Sequence, residues 1–255
     1  MPFLFGVAGR PELPGPALVT LLGDLGLTPA AARALVARLR AEGSLASRRD
    51  GRAVRYRLDG TMARGFERIR TAPAPQAWEG HFHALVHQVP EEHRAFRDQL
   101  RRGATLLGFG LLTGGVLVSL RDRFDELTPL LARAPEEAKL FRCRLAMDVD
   151  DAAAAAADAW DLPGLAQVHH TRIAALDAAL AASRTGSPIE GPAALRRFAD
   201  VTSAAMVDLL RAPALPPELR PAEWTADRLR AAIGRVEAEW FPAVRSYVDR
   251  VLDPA

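Results

Sequence analysis

Cysteine, lysine and long apolar runs are all scarce in this chain. Cys143 is the only cysteine among 255 residues. An intrachain disulfide and a cysteine-rich zinc site are therefore excluded, and the composition fits a reducing compartment, the cytoplasm. The most apolar run, Leu106–Leu120, is interrupted by Gly108, Gly110, Gly114 and Gly115, and it falls short of the roughly 20 residues that a spanning helix needs. No basic segment followed by an apolar core opens the chain, so neither a targeting segment nor a membrane partner is expected. Phosphate-loop signatures are missing too. GFGLLTGG at Gly108–Gly115 lacks a GK[ST] ending and has Thr113 where GxGxxG needs its third glycine, so these glycines are read as turns between elements. Lys139 is the one lysine among 33 basic residues. That bias is expected of a GC-rich genome, and arginine richness by itself is no sign of nucleic-acid binding.

Where the arginines fall is more informative. The formal charge of +2 hides an asymmetry: residues 1–75 hold 12 Arg against 6 acids, and the remainder holds 21 basic against 25 acidic residues. Thr28–Leu58 alone carries eight arginines and two acids. Thr28 as N-cap, Pro29 at the first helical position and Gly43 as a stop predict a helix of about four turns at most, with Leu35 and Leu39 as its apolar ridge. Ala17–Leu25, ending at Gly26, predicts a helix before it. After it, Leu45–Arg49 and Arg52–Leu58 flank Asp50-Gly51, a dipeptide suited to a type I′ hairpin turn. Val54, Tyr56 and Leu58 would pack, while Arg55 and Arg57 face outward and Arg52 sits at the tip. Helix, turn, helix and basic hairpin is the order of a winged helix-turn-helix. Arg33, Arg38 and Arg40 would then lie on the recognition helix, with Arg33 reading bases. Arg48, Arg49, Arg52, Arg55 and Arg57 would contact phosphates or the minor groove.

A Pro and Ala segment, Thr71–Gln76, marks the first expected domain boundary. Beyond it, His81–Val89, a helix from Pro90 to about Leu107, Leu111–Thr113, Gly115–Leu120, a helix over Phe124–Ala134 and the alternating stretch Phe141–Met147 give the order β-α-β-β-α-β of a ferredoxin-like domain. From Asp151 onward the pattern is helical. It opens on the alanine run Ala152–Ala157, followed by apolar stripes at Ile173, Leu176, Leu180, at Leu195, Phe198, Ala205, Leu209 and at Leu229, Ile233, Val236, Trp240. Pro213–Pro221 predicts a rigid connector, and Pro242 a kink or break in the last helix. The expected fold is α+β in three parts: 1–75 winged helix-turn-helix, 76–151 ferredoxin-like, and 152–255 all-helical.

His81, His83 and His87 share one side of a predicted strand. His83 and His87 are roughly 13 Å apart on an extended chain, too far to share one ion, so no metal site is expected. Cys143 is read as a small buried hydrophobe. Glu91-Glu92, Asp125-Glu126 and Glu136-Glu137 flank helices and are read as helix-end or solvated charges. No cofactor is implied.

The basic module, Trp78–Gly110, the WDLPGL segment at Trp160–Leu165 and PALPPELRPAEW at Pro213–Trp224 occur in that order, and together they resemble the PaaX-type regulators of phenylacetic acid degradation. The resemblance covers nearly the whole chain. It implies a homodimeric transcriptional repressor that binds operator DNA and is released by an effector of the phenylacetyl-coenzyme A type. Arg33, Gly51, Arg52, Tyr56 and Leu58 stand where the family pattern places them, as do Arg94, Arg97, Leu100, Arg101, Gly108, Phe109 and Gly110. Arg94, Arg97 and Arg101, at i, i+3 and i+7, are candidates to clamp coenzyme A phosphates or to form an ion-pair face. Trp160 is a packing anchor or the wall of an aryl-thioester pocket. The chain departs from the family at Ser44, His87-Gln88 and His169. The rival expectation is a metal-dependent nuclease, because ferredoxin-like domains of this kind resemble the small CRISPR-associated nuclease. Such an enzyme needs a carboxylate at the end of its first strand, where this chain reads His87-Gln88, so the protein is expected not to be an enzyme.

Overall fold

The computed structural model describes residues 1–51, 53–71, 77–186 and 189–253, without the side chains of residues 61, 65 and 68–71. Arg52, expected at the hairpin tip, and residues 72–76 of the expected boundary lie outside the described residues. Among the described residues the protein is mixed α and β, with one three-stranded and one four-stranded antiparallel sheet. Its contacts separate into two units: described residues within 1–73, 171–207 and 227–255 form the first, and those within 74–170 and 208–226 the second. The sequence had grouped 152–255 together. Those helical residues are instead divided between the two units, because their apolar faces pack against different partners.

In the first unit the proline-rich start is more ordered than its composition suggests. Pro2–Ala8 is a helix, α1, with Leu4, Phe5, Val7 and Ala8 buried. Pro2 sits at the helix start, where a missing N–H costs no hydrogen bond. Leu13–Pro14 forms a two-residue strand, β1, opposite Tyr56 and Arg55. Then come α2 (Gly15–Asp24), α3 (Pro29–Ala41), the hairpin β2 (Leu45–Asp50) and β3 (Ala53–Leu58), and α4 (Gly60–Thr71). The sheet order is β1-β3-β2.

Parts of α8 (Leu162–Thr185), α9 (Gly191–Arg211) and α10 (Thr225–Leu252) complete this unit. Phe198 of α9 lies 5.8 Å from the Phe3 ring and 6.0 Å from that of Phe241 in α10. Arg245 Nη1 donates to Val7 O at 3.2 Å, and Arg196 Nε to Asp24 O at 2.7 Å. The Tyr247 hydroxyl donates to Asp24 Oδ2 at 2.6 Å, and its ionisation is pushed up to about 12 by burial and by that carboxylate. Arg10 pairs with Asp253. Pro242 does not break α10, which runs as one helix through it. Val236, Val244 and Val248 are buried on both sides of it, so packing offsets the missing hydrogen bond.

The second unit is built on β4 (His81–Gln88), α5 (Arg94–Leu106), β5 (Gly110–Thr113), β6 (Val116–Ser119), α6 (Phe124–Leu131) and β7 (Lys139–Ala146). Its sheet order is β5-β6-β4-β7, with β4 antiparallel to both β6 and β7. Because side chains alternate along β4, the sheet has two different apolar faces. Leu85 packs with Leu100 and Ala104 of α5 and with Phe124 and Leu127 of α6. Phe82 and Ala84 pack with the alanine face of α7 (Val149–Ala159) and with Leu215 and Leu219 of the connector. Residues 213–221 hold only a short 3-10 turn at Pro217–Leu219. Cys143 is exposed rather than buried, since β7 is an edge strand and most of its residues face solvent.

Candidate nucleic-acid interface

α3 begins where Thr28 Oγ1 accepts the Ala31 N–H at 3.2 Å. It ends in a reciprocal pair of backbone bonds, Ser44 N–H to Leu39 O at 2.8 Å and Gly43 N–H to Arg40 O at 3.0 Å. This Schellman closure needs a left-handed residue, which Gly43 supplies with φ +70°. The buried ridge is Ala32, Val36 and Leu39, while Leu35 is only half-buried. The ridge therefore lies slightly to one side of the Leu35–Leu39 line, and Arg33, Arg38 and Arg40 are left exposed.

The hairpin register differs by one position from the expected turn. Asp50 pairs with Ala53, so Asp50 belongs to the strand rather than to the turn, and Gly51 takes the positive φ of +61°. Asp50 becomes the last strand residue, and its carboxylate is freed to act as a partner. Arg48 stands directly opposite Arg55, and Ala46 opposite Arg57. Arg48, Arg55 and Arg57 thus share one face of the hairpin. Arg49 falls on the other face, with Ser47, Tyr56 and Leu58.

Like charges opposite one another destabilise a strand pair, and here carboxylates offset them. Arg48 is held in bidentate fashion by Glu12, at 2.7 Å and 3.4 Å. Arg55 Nε donates to Asp50 Oδ2 at 2.6 Å. Arg57 is 3.5 Å from Asp59, and Arg38 is 3.8 Å from Glu42. The Arg48 hydrogen bond holds Glu12 below the usual carboxylate range, and Arg55 does the same to Asp50. These pairs therefore exist at and above neutral pH and are lost as the pH falls through the depressed values. Among the described residues, no ion pair engages Arg33, Arg40 or Arg49. Arg40 also lines a shallow groove with Ala37, Ala41, Leu45 and Ser47, so the exposed end of α3 adjoins β2. Glu12 was not visible as a partner in the sequence, because a two-residue strand leaves no alternation to read.

The second group of expected site residues divides. Arg94, Arg97 and Arg101 all lie on α5. Arg94 is exposed, between Glu91 at 4.0 Å and Asp98 at 3.7 Å. Arg97 Nη1 donates to Glu91 Oε2 at 2.9 Å, and Arg101 donates to Gly114 O. Trp160 belongs to the opposite face of the sheet, its ring 6.2 Å from Phe82 and its Nε1–H donating to Gly108 O at 3.3 Å. The three arginines and Trp160 therefore do not converge. No helix among the described residues is long and apolar enough to cross a membrane.

Residues 4–62 match the family model described as PaaX-like protein, and residues 75–156 match the PaaX protein central Cas2-like domain. Together these segments cover just over half of the chain. Among solved structures, the chain is similar to the uncharacterized protein Rv0674 from Mycobacterium tuberculosis. That similarity has 24% identity and a TM-score of 0.58 over 92% of this chain and 89% of that one, a likeness of fold. No curated protein matches.

Proposed function

From the premise that this chain belongs to the PaaX-like family, we propose that it is a ligand-responsive transcriptional regulator, a repressor whose N-terminal module is a winged helix that binds operator DNA as a homodimer. The observation that carries this reading is the junction of α3 with β2. Arg33 and Arg40 are exposed without ion-pair partners among the described residues, and Arg40 shares a groove with the first strand of a basic hairpin. A helix in the major groove beside a strand pair over neighbouring phosphates needs that arrangement. Base reading falls to Arg33, with Arg40 beside it. Arg38, Arg48, Arg49, Arg52, Arg55 and Arg57 serve the backbone or the minor groove.

The β-α-β-β-α-β order of the 81–146 segment and its antiparallel sheet support reading it as a ferredoxin-like domain. The family is regulatory rather than catalytic, and β4 ends in His87 and Gln88 rather than a metal-binding carboxylate. An acyl-coenzyme A effector of the phenylacetyl type would bind at the arginines of α5 and lower DNA affinity by its differential affinity for the two states of the protein. Trp160, spent on packing the other face, takes no part.

With about 8 phosphates contacted per dimer, a plot of log K against log salt for operator DNA should have a slope near −7, measured by fluorescence anisotropy. A shallow slope without sequence preference would discredit the operator reading. Glu12→Gln and Asp50→Asn should each release an arginine to phosphate. The expected results are about two- to fivefold tighter non-specific binding at low salt and a slope steeper by about two units per variant, since the dimer carries each change twice. Unchanged slopes would show that Arg48 and Arg55 do not reach DNA.

A further inference from the structure

His87 lies near the end of β4, on the face of the sheet that carries Leu85 and packs against α5. Its side chain is within a residue only 5% exposed, yet neither ring nitrogen has a hydrogen-bond partner. The Nε–H groups of Arg97 and Arg101, one turn apart on α5, are also buried without an acceptor. The outer ends of these guanidiniums are engaged, Arg97 with Glu91 and Arg101 with Gly114 O in the turn between β5 and β6. The His87 backbone N–H donates to Gly115 O at 2.7 Å, so His87 and Arg101 are both tied to that turn. Burial, then Arg101 and Arg97, push the imidazolium below its usual range, leaving a neutral ring with one N–H to donate.

The charged surroundings of His87 are lopsided. α5 brings two guanidiniums, the turn before it brings Glu91, β7 places Leu140 opposite and Lys139 beside it, and the 113–115 turn brings no charge. Each buried donor left unpaired costs about 1–3 kcal/mol, and native proteins pair nearly all such groups with protein, water or ligand. Here three unpaired donors gather around one region; of the carboxylates that act on Arg97, Glu91 bonds its outer nitrogen and Asp98 acts only at longer range. An acceptor-only group with several oxygens satisfies them together. Arginine forks suit phosphate in particular.

We propose that His87, Arg97 and Arg101 form a binding site for a terminal phosphate group, one with three free oxygens. It rests on the ligand-responsive reading above and specifies which part of the effector this side of the sheet recognises. Arg94, exposed and flanked by Glu91 and Asp98, is outside the site. Two sources share this chemistry, free inorganic phosphate and the 3′-phosphate of a coenzyme A-type ligand.

Calorimetric titration of the full-length protein with inorganic phosphate, adenosine 3′,5′-bisphosphate, coenzyme A and 3′-dephospho-coenzyme A tests the site. For the wild type, coenzyme A and the bisphosphate should bind about 10- to 100-fold more tightly than dephospho-coenzyme A, the range for charge-assisted hydrogen bonds. Arg97→Gln should erase that difference. So should His87→Leu, which places an apolar residue on a core-facing position and is checked for an unchanged fold by circular dichroism. Inorganic phosphate binding as tightly as coenzyme A, and weakened by both variants, would support the site and identify free phosphate as its source. Equal affinity for coenzyme A and its dephospho form with no phosphate binding, or binding unaffected by both variants, would overturn it. DNA binding without ligand is measured separately: its loss in the wild type defeats the regulator reading alone, while intact DNA binding with no phosphate preference defeats this site alone.

Discussion

Replacing Arg33 with alanine is expected to weaken operator binding by about 10- to 100-fold per half-site while leaving non-specific binding and its salt slope nearly unchanged. Arg33 is exposed on the first turns of α3, and no carboxylate among the described residues competes for it. A bidentate arginine on guanine is worth about 1–3 kcal/mol of discrimination, and in a two-fold dimer the loss occurs twice. Arg38→Ala is the matched control. That arginine is 3.8 Å from Glu42 at the other end of the helix, so its loss should weaken all sequences slightly and equally. Binding to a randomised DNA pool, followed by sequencing of the bound fraction, separates the two cases. If Arg33→Ala retains full sequence preference, α3 does not read bases through this residue.

Phe198→Ala is expected to destabilise the first unit by about 3–5 kcal/mol, the usual cost of emptying a large aromatic from a packed core. Phe198 is 1% exposed and touches both Phe3 of α1 and Phe241 of α10. The cavity therefore opens beneath the N-terminal module as well as between the C-terminal helices. DNA binding should fall together with stability as temperature rises, because α1 loses its support. Urea denaturation followed by circular dichroism, with DNA binding measured in parallel, checks both. A loss below about 1 kcal/mol would mean that the site collapses around the smaller side chain, and that α1 does not depend on this contact.

Much of the local structure was legible in the residues. Thr28, Pro29 and Gly43 marked α3 because capping is decided within a few residues, and strict alternation marked β7 for the same reason. The hairpin was legible as well, but its turn was displaced by one residue. A turn at Asp50-Gly51 would pair Leu45 with Tyr56, whereas burial of both Leu45 and Leu58 sets the observed pairing of those two and draws Asp50 into the strand. Exposure was less legible. Cys143 alternates like a core residue, yet lies on an edge strand, and being at an edge is a property of sheet order. Pro242 breaks an isolated helix but not one buried along both halves.

By itself the sequence determined the basic front module, the order of the main helices and strands between Ala17 and Ala146, and which arginines project from α3, because all of these follow from charge placement and short-range periodicity; the helix and short strand before Ala17 were not legible. Only the tertiary structure decided that Glu12 clamps Arg48 and that α9 and α10 pack with the N-terminal module. It alone decided that Trp160 and the α5 arginines take opposite faces of one sheet, and that His87 is buried against Arg97 and Arg101. Each of these is a contact between segments distant in the chain. Such contacts arise from the competition among apolar faces for burial, and no local pattern of residues records its outcome.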